Sequence, residues 1–455
     1  MKVKEILKVT KGKMLFGNEE LEVENFSKDT RTIQKGDIYI GIKGEKFDGS
    51  NFWNQALDAG ATAVIISNIQ ISKEEKEKYK DKTIIQVEDT FEALYEIAKY
   101  KRSLYNIPVI AVTGSVGKTS TKDIIASVVS QKYKTLKTEG NNNNNIGLPL
   151  TILKLKDHEA LVVEMGMNHF GEISLLTNIA KPTLAVITNI GTSHIGNLGS
   201  RENILKAKLE ILEGMKIPRV IINNDNDLLH KWYEENNEKI EIHTYGINNS
   251  SDVIAEKIEL GEEKSKFVVK TSSEKVNIDV PVGGEHFVYN ALCGFMVGKV
   301  LGLTAKEIQN GISKFELTKK RMDIRVLKNG ATLINDSYNA SYESMKASLK
   351  YLSSRTDLRK IAVLGDMLEL GDFSKELHEK VGEEVANDNI DVLICRGEFA
   401  KNIISKANKN KKTQCILLQN NEEILSKLQE ILKEGDGVLI KASNGMKFYE
   451  ICQKL

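Results

Sequence analysis

The segment that most constrains the fold is a short apolar run, a glycine-containing loop and a helical pattern in immediate succession. Residues 109–112 are apolar, residues 113–120 read TGSVGKTS, and apolar side chains then recur at helical spacing. A strand, a glycine loop and a helix in this order are the setting of a phosphate-binding loop. The pattern therefore predicts a buried parallel strand in an α/β sheet, with a phosphate site at the strand's end.

Each part of the loop has a chemical reason. Gly114 and Gly117 let the backbone curl until its N–H groups face phosphate oxygens, and the helix start adds a positive dipole end. Lys118 can reach the β- and γ-phosphates, and the Thr119 hydroxyl can ligate Mg²⁺. The predicted nucleotide-binding residues are Gly114, Ser115, Val116, Gly117, Lys118, Thr119 and Ser120. Val112 stands where the common motif has its first glycine, so an ordinary strand-to-helix turn is the alternative.

Two more apolar runs lead to side chains that suit a metal site. Residues 160–163 are followed by Glu164, and residues 185–187 lead to His194. Because strand ends carry the site in open α/β sheets, Glu164 is a candidate second Mg²⁺ contact, with a carboxylate facing water as the alternative. For His194, a metal role and an ordinary surface or core position are equally open, since Mg²⁺ prefers oxygen ligands.

A pair of lysines follows on the next predicted helix. Lys206 and Lys208 lie within residues 202–212, whose spacing predicts a helix just after the His194 loop. By composition alone, both lysines are expected to be solvated on an exposed face, with their aliphatic stems lying along the protein surface.

Composition and charge exclude several broad classes. The chain of 455 residues has 64 basic and 63 acidic residues, so no overall field favours nucleic acid or an anionic membrane. No apolar run approaches the roughly 20 residues of a membrane span, and the charges among residues 2–11 argue against a signal peptide. The four cysteines are far apart, which indicates reduced thiols rather than disulfides or a zinc site. We expect a cytoplasmic protein.

Apolar runs and helical patterns alternate along the chain and divide it into three α/β units. The first boundary falls at Asn106-Ile107-Pro108, because proline disfavours a helical residue before it. The predicted domains are residues 1–106, a small α/β unit; residues 107–315, a mainly parallel, doubly wound sheet with the glycine loop and an antiparallel appendage; and residues 316–455, a second open, Rossmann-like α/β sheet.

These motifs, in this order and over nearly the whole chain, resemble the Mur ligases, the ATP-dependent enzymes that build the stem peptide of peptidoglycan. The family's loop has the short TGSxGKT form, so the missing first glycine becomes a match. The resemblance implies that Thr119, Glu164 and His194 hold Mg²⁺. It also implies that Lys208, which fits the family's Ala-Lys-x-x-Ile/Leu context better than Lys206, is carbamylated and helps to hold a second metal ion.

Other stretches resemble the enzymes of this family that add D-alanyl-D-alanine to a UDP-linked muramoyl tripeptide. They are residues 140–147, residues 336–340, and residues 364–371 followed by His378. The implied contacts are Thr30, Arg31, Gly44, Asp48 and Gly49 with the UDP group; Asn143 and Asn144 beside the nucleotide or acyl group; Asn339 and Asp366 with the other substrate groups; His286 and Asn290 with adenine; and Arg321 and Asp336 with ATP. Residues 441–443 read KAS where the family usually has KGS.

The resemblance implies a reaction in which ATP phosphorylates a peptide carboxylate and an amine then attacks the acyl phosphate. The candidate catalytic residues are Lys118, Glu164, His194 and Lys208. The expected partners are UDP-N-acetylmuramoyl-tripeptide and D-alanyl-D-alanine, bound by a monomer with neither nucleic acid nor a membrane span. Two alternatives stay open: a Mur-type or folylpolyglutamate-type ligase that adds a single amino acid, and a regulatory P-loop ATPase.

Overall fold

The part of the chain that the structure describes forms three sheets, one after another along the sequence. The computed structural model describes residues 1–44, 47–317 and 321–455, except for the side chain of Asn410. Glu45 and Lys46, which lie within the segment implied to bind the UDP group, are outside the described residues. One sheet falls in each of the predicted ranges 1–106, 107–315 and 316–455, although their boundaries stay a prediction.

The first sheet is small and covered on both faces. Its strands are β1 (Lys13–Phe16), β2 (Phe26–Ser27), β3 (Ile38–Ile40), β4 (Ala63–Ser67) and β5 (Thr83–Val87), in the order β1-β5-β4-β3-β2. Its helices are α1 (Val3–Thr10), α2 (Trp53–Asp58), α3 (Lys73–Lys78) and α4 (Thr90–Ser103). Alternate residues of β4 enter different cores, because successive side chains of a strand point to opposite faces: Ala63 and Ile65 join one, Val64 and Ile66 the other.

The central sheet has nine strands. They are β6 (Val109–Thr113), β7 (Thr135–Lys137), β8 (Ala160–Glu164), β9 (Leu184–Ile187), β10 (Arg219–Asn223), β11 (Glu241–Gly246), β12 (Val253–Leu260), β13 (Ser265–Lys270) and β14 (Lys275–Val280). The helices are α5 (Lys118–Val129), α6 (Gly147–Leu153), α7 (Glu172–Ala180), α8 (Ile195–Leu198), α9 (Arg201–Leu209), α10 (Asp227–Asn236), α11 (Glu285–Val300) and α12 (Ala305–Ser313).

The order of the central strands creates a ligand-binding crevice. The order is β14-β13-β12-β11-β10-β9-β6-β8-β7, and the sheet is parallel from β7 to β12, with β13 and β14 forming the antiparallel appendage that was predicted. Strand β6 lies between β8 and β9, so the connections on its two sides run in opposite directions. Ligands bind at such a switch point in open α/β sheets, outside the carboxyl ends of the strands.

The third sheet is also mainly parallel. Its strands are β15 (Asp323–Val326), β16 (Thr332–Asn335), β17 (Arg359–Gly365), β18 (Val392–Arg396), β19 (Gln414–Leu417) and β20 (Asp436–Lys441), in the order β15-β16-β20-β17-β18-β19. Its helices are α13 (Tyr342–Ser354), α14 (Ser374–Asn387), α15 (Ala400–Ala407), α16 (Asn421–Ile431) and α17 (Tyr449–Lys454). Among the helices described in all three domains, none is long and apolar enough to cross a lipid bilayer.

The predicted fold class of three α/β domains is confirmed, and so are the apolar runs predicted as strands. The predicted runs also include residues 38–42, 63–66, 219–222, 331–334, 361–364, 392–395 and 438–440, which correspond to β3, β4, β10, β16, β17, β18 and β20. Seven of the described strands were not predicted: β1, β2, β5, β7, β11, β15 and β19. Five of these, all except β5 and β11, lie at the edges of their sheets. An edge strand is short and only partly buried, so its sequence lacks the apolar run or clear alternation that marks a strand.

A buried arginine joins the first domain to the central one. Arg102 in α4 donates from Nε to the carbonyl oxygen of Ala180 at 2.8 Å and from Nη2 to that of Lys181 at 3.3 Å. These carbonyls belong to the end of α7, which leaves its last carbonyl groups without partners inside the helix. A positive charge at a helix C-terminus is also favoured by the helix dipole. Arg102 thus fixes the first domain against the central sheet.

The third domain is docked on the central domain through α13. The Tyr351 hydroxyl donates to the carbonyl oxygen of Glu262 at 2.9 Å, on the hairpin between β12 and β13. The Lys350 ammonium pairs with the Glu285 carboxylate at 3.0 Å, at the start of α11. These contacts bring the carboxyl ends of the third sheet's strands toward the crevice of the central sheet.

Replacing Arg102 with methionine should destabilise the protein, because two carbonyl groups at the end of α7 lose a charged donor. We expect a loss of about 2 kcal/mol, measured as a fall of a few degrees in the apparent Tm. Lys99→Met is the matched control, since Lys99 lies on the same helix and only pairs with Glu96 at the surface. Equal Tm values for the two variants would contradict the role of Arg102.

Candidate active site

A cavity of about 630 Å³ lies between the carboxyl ends of the central strands and the third domain. It contains most of the residues predicted to form the site. The predicted residues that line it are Ser115, Val116, Gly117, Lys118, Thr119, Ser120, Asn143, Asn144, Glu164, His194, His286, Asn290, Arg321, Asp336 and Asn339. The predicted residues that do not line it are Gly114, Lys208, Thr30, Arg31, Gly44, Asp48, Gly49 and Asp366.

The glycine loop has the curled backbone that its sequence predicts. Gly117, the N-cap of α5, has a φ of 80°, in the left-handed region that favours glycine. Gly114 has no room for a side chain, because a Cβ there would lie 1.9 Å from the Thr188 hydroxyl oxygen. The first N–H groups of α5 have no partner inside the helix. The loop and helix start therefore form an anion site of the predicted kind.

The end of strand β9 holds the loop from the other side. Asn189 uses its whole side-chain amide on Val116: Oδ1 accepts from the Val116 N–H at 2.9 Å, and Nδ2 donates to the Val116 carbonyl at 2.9 Å. The Thr188 hydroxyl donates to the same carbonyl at 2.7 Å. No role for Asn189 was predicted from the sequence. Its place directly after a strand, beside β6, is the signal that could have found it.

Lys118 begins α5, and its side chain folds over the loop. Its Nζ donates to the carbonyl oxygens of Gly114 at 2.7 Å and Ser115 at 3.3 Å. Burial lowers the pKa of Lys118; the Glu164 carboxylate opposes this effect, and the Arg321 guanidinium adds to it. Two cations that face one carboxylate make this part of the cavity favourable for an anionic ligand.

Glu164, the last residue of β8, lies directly beside the loop. Its side chain is only 1% exposed, so the alternative of a carboxylate facing water is wrong. Oε2 accepts from the Thr119 hydroxyl at 2.8 Å, and Oε1 accepts from the Asn143 amide at 2.8 Å. Two residues predicted as metal ligands, Thr119 and Glu164, are thus brought into contact by adjacent strands. Asn143 joins them, although it was predicted only as a substrate contact.

Lys208 is buried, which its composition did not predict. Its side chain on α9 is 1% exposed, whereas Lys206 on the same helix is exposed, so the solvated interpretation is wrong for Lys208 and right for Lys206. Burial lowers the pKa of Lys208 well below its ordinary value, and the positive charge of Lys118 lowers it further. A buried ammonium without a negative partner is costly, so the side chain is pushed toward its neutral amine form.

His194 lines the cavity and is bound by the third domain. Its ring Nδ1 lies 2.6 Å from Oε2 of Glu369. This hydrogen bond lowers the pKa of Glu369. The backbone of His194 has a φ of 64°, in the left-handed region that is uncommon for side chains other than glycine. No role for Glu369 was predicted, because residues far apart in sequence show no pattern that pairs them.

His286 and Asn290 lie one turn apart on α11, and both line the cavity. Asn290 Oδ1 accepts from the Thr121 hydroxyl at 3.0 Å, which ties α11 to α5. Burial lowers the pKa of His286 to about 4, despite the opposing charge of Asp336. The imidazole is therefore neutral near pH 7 and presents one donor and one acceptor to the cavity.

The third domain contributes a charged cluster to the cavity wall. The Arg321 guanidinium lies 4.0 Å from the centre of the Tyr338 ring, and its buried Nε has no hydrogen-bond partner among the described residues. Asp336 accepts from the Ser348 hydroxyl at 2.7 Å and from the Lys441 ammonium. Lys441 was noted in the sequence only as part of the KAS segment. It is buried and lines the cavity, so its charge belongs to the site.

Two predicted substrate contacts have their own structural partners. Asn144 Oδ1 accepts from the N–H groups of Ile146 at 3.2 Å and Gly147 at 2.8 Å, at the start of α6. Asn339 Oδ1 accepts from the Asn444 N–H at 3.4 Å, and the carbonyl of Asn339 accepts from Lys441 at 3.1 Å. Both residues also line the cavity, so their substrate roles stay predictions.

Asp366, directly after β17, does not line the cavity. Its carboxylate accepts from the N–H groups of Glu398 at 2.7 Å and Phe399 at 3.2 Å, just before α15. An aspartate in this position stabilises a helix start. Its predicted substrate role remains untested, and the described contacts make it a support for the loop at residues 365–371.

The residues implied to hold the UDP group lie in the first domain. Asp29 pairs with the exposed Arg31 side chain at 2.6 Å, which lowers the pKa of Asp29 to about 2. Asp48 caps a short 3₁₀ helix by accepting from the Ser50 N–H at 2.9 Å. Thr30 is partly buried, Gly44 is exposed and Gly49 is buried. They do not line the cavity, so the structure leaves their ligand contacts as predictions.

The donor set near the loop suits a cation that keeps non-protein ligands. No cluster of three or more His, Cys, Asp or Glu side chains that could hold a metal ion exists among residues 1–44, 47–317 and 321–455. Thr119 and Glu164 supply oxygens, which Mg²⁺ prefers, and Mg²⁺ commonly completes its octahedron with water and phosphate oxygens. The residues present therefore fit Mg²⁺ bound together with a nucleotide, rather than a cage made by the protein alone.

Family models match the chain in three consecutive parts. Residues 22–102 match the Mur ligase family catalytic domain, residues 112–298 the Mur ligase middle domain, and residues 320–444 the Mur ligase glutamate ligase domain. The order agrees with the three sheets. The matches therefore cover the first domain, the phosphate loop and the third-domain cluster.

Individual relatives extend over the same length. The UDP-N-acetylmuramoyl-tripeptide–D-alanyl-D-alanine ligase of Bacillus subtilis is 37% identical over 458 residues, which covers 100% of this chain and 98% of the relative. A crystal structure of MurF from Acinetobacter baumannii superposes with a TM-score of 0.88 at 29% identity, covering 100% of this chain and 98% of that one. MurF ligase from Thermotoga maritima in complex with ADP gives 0.82 at 29% identity, with 96% and 98% covered. Similarity of sequence and of structure across the whole length leads to one conclusion: the chain belongs to the Mur ligase family.

Proposed function

We propose that this chain joins D-alanyl-D-alanine to UDP-N-acetylmuramoyl-tripeptide, with conversion of ATP to ADP and phosphate. The observation that carries the proposal is the single cavity in which the glycine loop, Lys118 and the Thr119–Glu164 pair face Arg321 of the third domain. Full-length similarity to ligases with this activity supports the choice of substrates. Residues 364–371, which resemble the ligases that add D-alanyl-D-alanine, support this choice further.

The cavity offers a place for each part of ATP. The loop at residues 114–120 holds the phosphates, while His286 and Asn290 lie where the adenine would be bound. Arg321 and Asp336 approach from the third domain. The neutral His286 ring and the cationic Lys118 support this orientation, since the base is uncharged and the phosphates are anionic.

Mg²⁺ is the proposed cofactor, and Thr119, Glu164, His194 and carbamylated Lys208 would hold it. When bound, Mg²⁺ supplies positive charge that offsets negative charge on the phosphate oxygens. Two observations support a metal site here: the hydrogen bond between Thr119 and Glu164, and the lowered pKa of Lys208. Carbamylation joins a neutral amine to CO₂ with loss of a proton, and burial lowers the pKa of Lys208, which favours the neutral amine. The modification would also replace a buried cation, which has no negative partner among the described residues, with an anion that suits a metal ion.

The residues of the chain act mainly by positioning and by charge. A peptide carboxylate is a poor acyl donor, and phosphorylation gives it a phosphate leaving group. Lys118 and the loop N–H groups stabilise the charge that develops during this transfer. The amine of D-alanyl-D-alanine then attacks the acyl phosphate. The docked third domain excludes water from the cavity, which protects the reactive intermediate from hydrolysis.

The remaining substrate contacts complete the proposal. Thr30, Arg31, Gly44, Asp48 and Gly49 hold the UDP group, and Asn143, Asn144, Asn339 and Asp366 act on the acyl and dipeptide side. The exposed Arg31 guanidinium is suited to a diphosphate. The protein works in the cytoplasm, where ATP is available. The proposed active form is a monomer.

The proposed reaction is tested by analysing its product. With ATP, Mg²⁺, UDP-N-acetylmuramoyl-tripeptide and D-alanyl-D-alanine, mass spectrometry should show the pentapeptide. Phosphate release should rise only when tripeptide and dipeptide are both present. A product with a single added amino acid would indicate another Mur-type or folylpolyglutamate-type ligase. Phosphate release that does not depend on the tripeptide or the dipeptide would indicate a regulatory ATPase and would contradict the proposal.

Lys118→Ala should abolish turnover while the fold survives, because the side chain is needed for the charge on the transferred phosphate. We expect kcat to fall by roughly 10³-fold or more, with an unchanged Tm. Lys118→Arg keeps the charge but changes the donor geometry, so it should recover little activity. Steady-state kinetics measure both variants. Activity equal to that of the wild type in Lys118→Ala would remove the basis of the proposed mechanism.

Lys208→Ala should lose most activity and regain part of it with short carboxylic acids. An added acetate or propionate can occupy the space of the carbamate and restore a negative charge near the metal. Lys206→Ala is the matched control, since Lys206 is exposed on the same helix; it should keep full activity. Activity is measured with increasing acetate. Full activity of Lys208→Ala, without any effect of acetate, would show that no carbamate is needed.

A further inference from the structure

The loop after strand β17 is rigidly held and reaches the active site. We call residues 365–371 the clasp loop. His378 fixes its start: Nε2 accepts from the Met367 N–H at 2.9 Å, and Nδ1 lies 2.6 Å from the carbonyl oxygen of Ser374. Ser443 Oγ accepts from the Leu368 N–H at 2.9 Å. These buried contacts place the tip of the clasp loop at a fixed point in space.

Glu369 lies at that tip and makes two contacts with the central domain, one to His194 and one to Gly196. Its Oε2 lies 2.6 Å from His194 Nδ1, and its carbonyl oxygen accepts from the Gly196 N–H at 3.1 Å. Glu369 has a φ of 64°, as His194 does. The left-handed region is strained for a glutamate, which stays there only where surrounding contacts impose it. The docked clasp loop therefore holds Glu369 in a conformation that it would not adopt alone.

The contact between the two loops depends on glycine. A Cβ at Gly196 would lie 2.6 Å from the Gly371 N and 2.8 Å from the Glu369 carbonyl oxygen. A Cβ at Gly371 would lie 3.1 Å from the Gly196 Cα. The backbones approach more closely than side chains permit. Close approach at this point is what brings the Glu369 carboxylate within hydrogen-bond distance of the imidazole.

We propose that Glu369 of the third domain is a positioning residue for His194. Docking of the third domain and completion of the metal site are then the same event. The inference rests on the proposed function, since it assumes that His194 faces the bound metal. The Glu369 carboxylate accepts a hydrogen bond from the Nδ1–H group of His194, so that the lone pair of Nε2 faces the cavity. Carboxylates that orient metal-binding histidines in this way fix both the ring and its tautomer.

Docking then has a chemical consequence at the site. While the third domain is undocked, His194 has no carboxylate on Nδ1, and its ring can turn or carry its proton on either nitrogen. Docking delivers Glu369 and selects one tautomer and one orientation. The site therefore reaches its binding geometry only when Arg321, Asp336 and Lys441 of the same domain have also arrived. This coupling would prevent phosphoryl transfer before the third domain closes the cavity.

The test compares Glu369→Ala with Asp372→Asn in the full chain. Asp372 is the matched control, because it is an exposed carboxylate three residues further along. The first measurement is the tautomer of His194 without metal or nucleotide. Long-range ¹H–¹⁵N spectra of histidine-labelled protein report it, above the pH range in which imidazole is protonated. His194→Gln identifies the signal.

We expect a proton on Nδ1 of His194 in the wild type and in Asp372→Asn. In Glu369→Ala the spectrum should shift toward the mixed tautomers of a free imidazole. Glu369→Gln keeps an oxygen acceptor and should preserve the Nδ1 proton. An unchanged tautomer in Glu369→Ala would overturn the proposal.

The second measurement is the affinity for Mn²⁺, titrated by electron paramagnetic resonance with a non-hydrolysable ATP analogue present. Glu369→Ala should bind Mn²⁺ about 10–100-fold more weakly, as is typical when a partner of a metal-binding histidine is lost. Asp372→Asn should bind as the wild type does. Wild-type Mn²⁺ affinity in Glu369→Ala would also overturn the proposal. Neither measurement needs peptide ligation, so failure of the proposed reaction would be seen separately.

Discussion

The site depends on close contact between the glycine loop and the residues that follow the neighbouring strand. Gly114 packs against Thr188 at a distance that excludes any side chain, and Asn189 binds both backbone groups of Val116. Strands β6 and β9 are parallel neighbours, so their ends meet at the same edge. This contact sets the curl of the loop. The direction of the loop N–H groups, the start of α5 and the position of Lys118 all follow from it.

Buried charge is the second constraint on the cavity. Lys208 and Lys441 are buried, Lys118 is partly buried, and Glu164 is the carboxylate beside the loop. Burying an unpaired charge costs several kcal/mol, so such an arrangement persists where a ligand or a modification compensates it. Lys441 has its partner in Asp336, whereas the charge of Lys208 is opposed by no described group. An anionic nucleotide and a carbamate on Lys208 would compensate the excess positive charge.

The two outer domains contact the central domain through different groups. Arg102 fastens the first domain to the end of α7 through backbone carbonyls. The third domain contacts the central one through the side chains of Tyr351, Lys350 and Glu369. Buried apolar residues of the third domain, among them Met345 and Leu349, also belong to the same hydrophobic core as the central domain. The third domain carries Arg321, Asp336 and Lys441, which complete the cavity.

The sequence by itself determined the fold class, the phosphate loop and the identity of most cavity residues. It could do so because apolar runs mark buried strands and because a glycine loop between strand and helix has few other uses. It could not show that Lys208 is buried while Lys206 is exposed, since helical neighbours look alike until packing separates them. Nor could it pair His194 with Glu369 or assign Asn189 and Lys441. Those contacts join residues that only the tertiary fold brings within hydrogen-bond distance, because the arrangement of strands and the docking of domains have no local signature in the chain.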